Sequence, residues 1–297
     1  MKAKEIKAKS LNGDLNMNRL MAKRILIKSI TTLLIVLILG IICYSHQENL
    51  SKLSILNNDV FFYLGVAFGL ISFICIIFST IIIFNENYIT SFVGYYIYST
   101  HDILNFLIDI VYIIFFVLAF IVTPTTVSGS SMANTLYDQD KLLVWHLGYN
   151  VTKDDIVIID INDTNYNVSI DEQFYIKRVV AVEGSVVSFN AYSSNSNYGD
   201  IIVDGEIIDS NVYYNLYVRM TSLYNNETNS YDTYFDESIY TMTVPEGYNI
   251  VLGDNRQNSN DSRYIGMIHN KDILGKAIFR YYSYYGSFGL IKKNIKS

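Results

Sequence analysis

Cysteine is almost missing from this chain: Cys43 and Cys75 are the only two, both inside apolar runs, so they read as small buried hydrophobes. Their scarcity excludes a disulfide framework and a CxxC metal signature. Proline is equally scarce, at Pro124 and Pro245, amid abundant Asn, Ile and Tyr. That bias reflects codon usage, and in so Asn-rich a chain triplets such as Asn226-Glu227-Thr228 arise by chance. Only four histidines are present, His46, His101, His146 and His269, which limits any imidazole chemistry. An excess of positive charge is missing too: the formal net charge is -6 and the second half is acidic, so a nucleic-acid partner finds no support. No internal repeat of 20 to 50 residues stands out, which removes solenoids and propellers.

What the chain does have is apolar sequence, 51% by composition, concentrated before about residue 124. Three stretches, Ile25–Tyr44, Val60–Phe84 and Ile103–Val122, each approach the ~20 residues that cross a ~30 Å hydrocarbon core. The first is longer than a signal-peptide core and no small-X-small site follows it, so it reads as an anchor. Within the first 28 residues Lys2, Lys4, Lys7, Lys9, Arg19, Lys23, Arg24 and Lys28 outnumber Glu5 and Asp14, which keeps the N-terminus cytoplasmic by the positive-inside rule. Three crossings then put everything after Thr123 on the outer face. The expected organisation is a basic cytoplasmic segment (1–24), a three-helix anchor (25–123) and an extracytoplasmic domain (124–297). The loop 85–102 carries no Lys or Arg, so its side follows from counting spans. Asp109 falls within the third stretch, where an acid costs roughly 2.5 to 3.5 kcal/mol at a helix centre; it reads either as a functional site or, with Asn105 one turn away, as an acid facing helix partners or headgroups.

Beyond Pro124 short β-type runs dominate, among them 141–145, 156–161, 174–182, 185–189, 201–203 and 248–252. Glu183-Gly184-Ser185, Asp204-Gly205-Glu206 and Pro245-Glu246-Gly247 supply tight turns between them. With no helix-period segment in view, the expectation is a mainly-β barrel or sandwich. Residues 192–200 and 222–238 read as surface excursions. Tyr281, Tyr282, Tyr284 and Tyr285 precede a basic tail with Lys292, Lys293 and Lys296, without a fourth span.

Three segments of this half can carry chemistry. Val127 to Leu136 places serines around Gly129, where a hydroxyl can be exposed beside backbone N–H groups, although a Ser-Gly-Ser string also serves as a linker. A nucleophilic serine needs a base. His46 and His101 flank spans, which leaves His146 and His269, neither in a recognisable motif. A neutral lysine can replace histidine, at a cost of roughly 4 to 5 kcal/mol for moving a lysine from ~10.4 to ~7, obtainable by burial. In 174–180, strand alternation puts Lys177 on one face with Tyr175 and Val179, and Arg178 on the opposite, outward face; a lysine whose head snorkels to water is the competing reading. The third segment, Gly253 to Gly266, is dense in Asp, Asn, Arg and Ser, fits no EF-hand spacing and singles out no pair of carboxylates for sugar chemistry.

Taken in order, these segments resemble the signature boxes of bacterial type I signal peptidases, the Ser-Lys membrane proteases of family S26. Gly129-Ser130-Ser131-Met132-Ala133-Asn134-Thr135-Leu136 is similar to the family's Gly-X-Ser-Met-X-Pro-Thr-Leu, and Asp154-Asp155-Ile156-Val157-Ile158-Ile159 to its Gly-Asp-Ile-Val-Val-Phe. Lys177 to Gly184 resembles the lysine box, and Gly253 to Arg263 the Gly-Asp-Asn-Arg-X-X-Ser-X-Asp-Ser-Arg box. The similarity covers about Pro124 to Leu274. Asn134 in place of Pro, Asp154 in place of Gly, and Ala181 with Glu183 depart from the pattern. Losing the Pro gives up a fixed φ near the nucleophile.

The resemblance implies transmembrane helices followed by a mainly-β catalytic domain of signal-peptidase type. It implies Ser131 as nucleophile, Lys177 as general base, and Ser259 hydrogen-bonded to the lysine amine. Asp254, Asp261 and Arg263 would hold the last loop together, and Met132 would touch substrate. Ser128, Gly129 and Ser130 belong to the nucleophile loop, where the oxyanion donors are left open. No metal or organic cofactor is implied. The partners implied are signal-peptide-bearing preproteins and the lipid bilayer, with oligomeric state unspecified. Other readings of the same residues are a dedicated peptidase for a few surface proteins, a decayed S26-like membrane scaffold, a repressor-type Ser-Lys autoprotease and a histidine-based relative. Three spans and an acidic outer half argue against the autoprotease.

Overall fold

The computed structural model describes residues 16–45, 58–85, 91–161, 166, 174–225, 230–233 and 240–291. His46, the basic residues before position 15, Asn226-Glu227-Thr228 and the lysines of the tail lie outside the described residues. The chain divides into two compact units, Met1–Phe120 and Ile121–Ser297.

The first unit holds α1 (Asn16–Ser45), α2 (Asn58–Phe84) and α3 (Ser91–Phe116). All three contain windows long and apolar enough to cross a membrane: Arg19–Ile42, Phe62–Phe84 and Tyr96–Phe116. Its apolar side chains face outward, with Ile27, Phe62 and Phe106 each more than 60% exposed, whereas polar groups face the neighbouring helices. Thr32 donates to Asp109 Oδ1 (2.8 Å) and accepts from Asn105 (2.6 Å). Asp109 therefore faces a helix partner. Ser29 bonds His101 Nε2 (3.0 Å), and Lys28 pairs with Asp102.

Those last two contacts explain a difference from the hydropathy reading. His101 and Asp102 lower the local hydropathy, yet both have partners on α1, and the helix runs back to Ser91. The expected 85–102 loop shrinks accordingly. The third helix also ends sooner, at Phe116, passing through a π-helical turn over Val117–Ile121 into a strand that starts at Val122. Pro124 fits the strand that follows, because it disfavours α conformation at Thr123 and cannot continue a helix.

The second unit is built on two antiparallel sheets. The larger has the order β1 (Val122–Thr126), β2 (Lys141–Trp145), β13 (Ile273–Tyr282), β3 (Ile156–Asp160), β4 (Phe174–Ala181), β11 (Tyr248–Leu252) and β12 (Ile268–His269), with β14 (Gly289–Leu290) on β13. Pro124 is tolerated in β1 because that strand pairs only with β2, at the sheet's edge. The accessory sheet runs β10 (Thr241–Thr243), β5 (Val186–Ala191), β6 (Tyr198–Val203) and β7 (Glu206–Tyr213). A hairpin, β8 (Ser222–Asn225) and β9 (Ser230–Thr233), completes the set.

Strand β4 lies between two cores. Val179 packs with Val157, Ile159, Val251, Ile265 and Ile268, whereas Val180 and Ala181 pack with Phe189, Ile201, Tyr217, Met220 and Ile250. Both faces are covered, so strand alternation here does not separate inside from outside. Arg178, expected to point outward, is 6% exposed. Two short helices also escape sequence periodicity. In α4 (Tyr214–Met220) a single buried pair, Tyr217 and Met220, faces the core, and α5 (Ser262–Ile265) is one turn long. The expected 222–238 excursion is rooted in the core at Ser222, which is 1% exposed, while 193–197 is an exposed turn closed by Tyr192 N–H donating to Tyr198 O.

Candidate active site

The nucleophile loop joins β1 to β2. Val127 N–H donates to Asp140 O and Gln139 N–H to Val127 O, which draws its ends together. Gly129 N–H donates to Asp138 Oδ1 (2.9 Å), and Ala133, Thr135 and Leu136 turn back on Ser130 and Met132 carbonyls. This tight winding needs left-handed backbone at Gly129 (φ 80°) and Asn134 (φ 82°). Asparagine tolerates that region better than most residues, and proline, locked near -65°, is barred from it. Asn134 is therefore suited to the turn this chain makes, and no fixed φ has been lost. Asp154, at another departure from the family pattern, also sits in left-handed backbone at φ 69°, where glycine is the easiest occupant.

Winding the loop this way brings Ser131 to β4. Lys177 Nζ is 2.9 Å from Ser131 Oγ and 3.0 Å from Ile176 O, with its side chain folded inside the protein at 3% exposure. The Tyr175 ring lies 4.8 Å from the same nitrogen. Neither the Ser131 nor the Met132 N–H has a partner among the described residues, which leaves two donors beside the hydroxyl for developing oxygen charge. A cleft of about 340 Å³ opens here, walled by Thr126, Ser128, Gly129, Ser130, Tyr175, Asn258 and Asn260 together with the Ser131–Lys177 pair.

The loop after β11 braces this arrangement. Asp254 accepts both Arg178 Nε (2.8 Å) and Nη2 (2.7 Å) and also the Thr135 hydroxyl (2.5 Å). One carboxylate thus ties the lysine strand to the nucleophile loop. Asp261 caps α5 through Arg263 N–H, takes the Gly253 N–H, and holds the Arg263 guanidinium through two bonds of 2.9 Å. Asn255 N–H reaches Ser131 O (3.0 Å), while Asn255 and Asn258 side chains donate to Ser130 O and Oγ. Gly253 is required by closeness: a Cβ there would come 2.5 Å from Ser131 O and 2.1 Å from Ser259 Oγ.

Two expected contacts are absent. Ser259 Oγ is buried without a partner among the described residues and does not bond Lys177, because the lysine nitrogen is turned toward Ser131 and Ile176 O. Met132 is 0% exposed and lies outside the cleft wall, so its side chain is held within the fold instead of facing a substrate. His146 directs Nδ1 to Leu274 O (2.6 Å), and His269 Nδ1 accepts Lys271 N–H, so both histidines are engaged away from Ser131. Sequence reasoning missed Asp209, whose carboxylate meets Arg263 (3.2 Å) and Arg256 (3.8 Å). It lies in β7 with no motif around it, and nothing but its place in the fold marks it.

Comparison with known proteins covers the same part of the chain. Residues 100–282 match the model of signal peptidase, peptidase S26. Signal peptidase IB of Staphylococcus aureus strain Mu50 is 32% identical over 176 residues, covering 58% of this chain and 84% of that protein. Signal peptidase I of Aquifex aeolicus strain VF5 is 28% identical over 213 residues, covering 59% and 81%. A crystal structure of a signal peptidase I from Enterococcus faecalis V583 aligns with 43% of this chain and 97% of its own at 22% identity and a TM-score of 0.25. With more than half its length matched by that model, the chain belongs to the signal peptidase family, peptidase S26.

Proposed function

We propose that this protein is a membrane-bound serine endopeptidase that removes signal peptides from exported preproteins after a small-X-small site, with Ser131 and Lys177 as its catalytic pair. The observation that carries the reading is a buried lysine nitrogen 2.9 Å from a serine hydroxyl at the wall of a cleft. In this scheme neutral Lys177 takes the Ser131 proton as Oγ attacks the scissile carbonyl. The unpartnered Ser131 N–H, at the cleft wall, is the donor offered to the resulting oxyanion. Lys177 then passes its proton to the departing amine, leaving an ester on Ser131. Water, deprotonated by Lys177, hydrolyses that ester and releases the signal peptide with a free carboxylate.

The three apolar helices serve as the anchor, residues 1–24 stay cytoplasmic, and the β unit works on the outer face. The arrangement suits a substrate held in the same bilayer by its own apolar segment, which raises its effective concentration. The test is to incubate the purified full chain in detergent with a preprotein bearing an Ala-X-Ala site and to determine the new N-terminus. A single product beginning one residue after the second Ala is expected. Cleavage elsewhere, or an intact preprotein, contradicts the reading.

A further inference from the structure

The accessory sheet reaches the Gly253–Arg263 loop through the Asp209 side chain and the Ile208 carbonyl. Asp209 projects from β7 with its carboxylate 11% exposed, between Arg256 and Arg263. Both arginines act on the loop that supports the nucleophile. Arg256 Nε donates to Gly253 O, and Arg263 holds Asp261, which in turn accepts the Gly253 N–H. Arg263 Nη2 also donates to Arg256 O (2.7 Å), and Arg256 Nη1 donates back to Ile208 O in β7. Both backbone polar groups of Gly253 are thus held by this network, at the residue whose α-carbon abuts Ser131 O and Ser259.

The charge count shows why the second acid is needed. Asp261 already binds Arg263 through two bonds, so without Asp209 two buried or half-buried guanidiniums would share one carboxylate. Burial pushes the Asp209 carboxyl above the usual carboxylate range, and Arg256 and Arg263 oppose that push. Placing such an acid there costs desolvation that only paired cations offset.

We propose that Asp209 is a positioning residue for the peptidase reaction, through which the accessory sheet sets the geometry and electrostatics of the Gly253–Arg263 loop beneath Ser131. This rests on the reading of Ser131 and Lys177 given above. Asp209→Asn leaves one unbalanced positive charge among Arg256, Arg263 and Asp261, which disfavours a further cation nearby.

The test measures preprotein cleavage by the full chain in detergent as a function of pH. Asp209→Asn is expected to lower kcat about tenfold with KM within about twofold. The acid limb of its rate profile moves to lower pH by roughly half a unit. Asp209→Glu, which keeps the charge, returns the limb to the wild-type position. Asp209→Asn combined with Arg256→Gln restores neutrality and does the same, and serves if the single variant does not fold. Asp200→Asn, on the same sheet and bonded to the Tyr192 hydroxyl, leaves kcat and the profile unchanged. A folded Asp209→Asn whose kcat and profile superimpose on wild type overturns the inference alone, as does a limb displaced equally by Asp209→Glu or by the neutral double variant. A wild type that does not cleave overturns the reading of the site, and this inference with it.

Discussion

The helical unit and the β unit bury opposite things. Among the helices Ile27, Phe62 and Phe106 face outward while Thr32, Asn105 and Asp109 bond one another inside, the distribution that an apolar surrounding favours. In the β unit the aliphatic residues are inside, and buried charge includes complementary sets: Arg178 with Asp254, Arg263 with Asp261, Lys276 with Asp155 and Arg280 with Asp140. Lys177 is buried against a hydroxyl, a carbonyl and an aromatic ring. The contrast teaches that buried polarity has two uses here. In the paired sets it holds loops in place, and at Lys177, in the proposed reaction, it supplies the base.

The sharpest way to break that distinction is to remove one member of each kind. Arg178→Ala or Asp254→Ala leaves a buried charge uncompensated and should cost about 3–5 kcal/mol in denaturant unfolding of the full chain. Lys177→Met, of similar length and without charge, should leave the unfolding midpoint unchanged or raised while cleavage is lost. Equal stability loss in both would erase the difference between a brace and a reacting group.

Next in size is the nucleophile loop. Asn134→Pro forces φ from 82° to about -65° and should cost on the order of 1–3 kcal/mol together with most of the activity. Asn134→Gly keeps the left-handed turn and should be close to neutral in the same denaturant unfolding. If the proline variant matches wild type, the loop can take the backbone the family usually has, and Asn134 is no adaptation.

Within the helical unit the expected energies are smaller. A double-mutant cycle on Thr32→Val and Asp109→Leu should give a coupling of about 0.6 kcal/mol in detergent unfolding. A coupling as large as that of the Arg178–Asp254 pair would remove the energetic contrast between the two units.

The smallest effect concerns His146. Burial holds its imidazole below the ordinary value, and the bond to Leu274 O opposes this only in part. As pH falls below about 6.5 the unfolded chain takes up the proton first, so stability present above that value declines toward the lower folded pKa. The thermal midpoint, followed by fluorescence of Trp145, the only tryptophan in the chain, should drop between neutral and mildly acid pH. His146→Gln should flatten that slope.

Much of this organisation is legible in the sequence, for reasons that also mark where reading fails. Ser131, Lys177, Asp254, Asp261 and Arg263 lie in segments whose order and spacing the fold requires, because each box closes one side of the same cleft. Hydropathy located three helices yet ran the third past Phe116, since an average over apolar residues does not register that Pro124 cannot continue a helix. Alternation put Arg178 outside because it assumes one wet face, and β4 has none. Met132 and Ser259 were given contacts that depend on side-chain direction, which residue type alone does not determine. Asp209 was invisible because its partners lie about fifty residues away in a Tyr- and Asn-rich region, and only folding brings them together.

The most direct test of the central claim compares cleavage of an Ala-X-Ala preprotein by wild type, Ser131→Ala, Lys177→Met and the double variant, each shown to be folded. In the proposed mechanism the two residues act as one unit, so each single change should slow cleavage on the order of a thousandfold or more, and the double variant should be no slower than either. A folded Lys177→Met enzyme that cleaves at the wild-type rate would contradict the account.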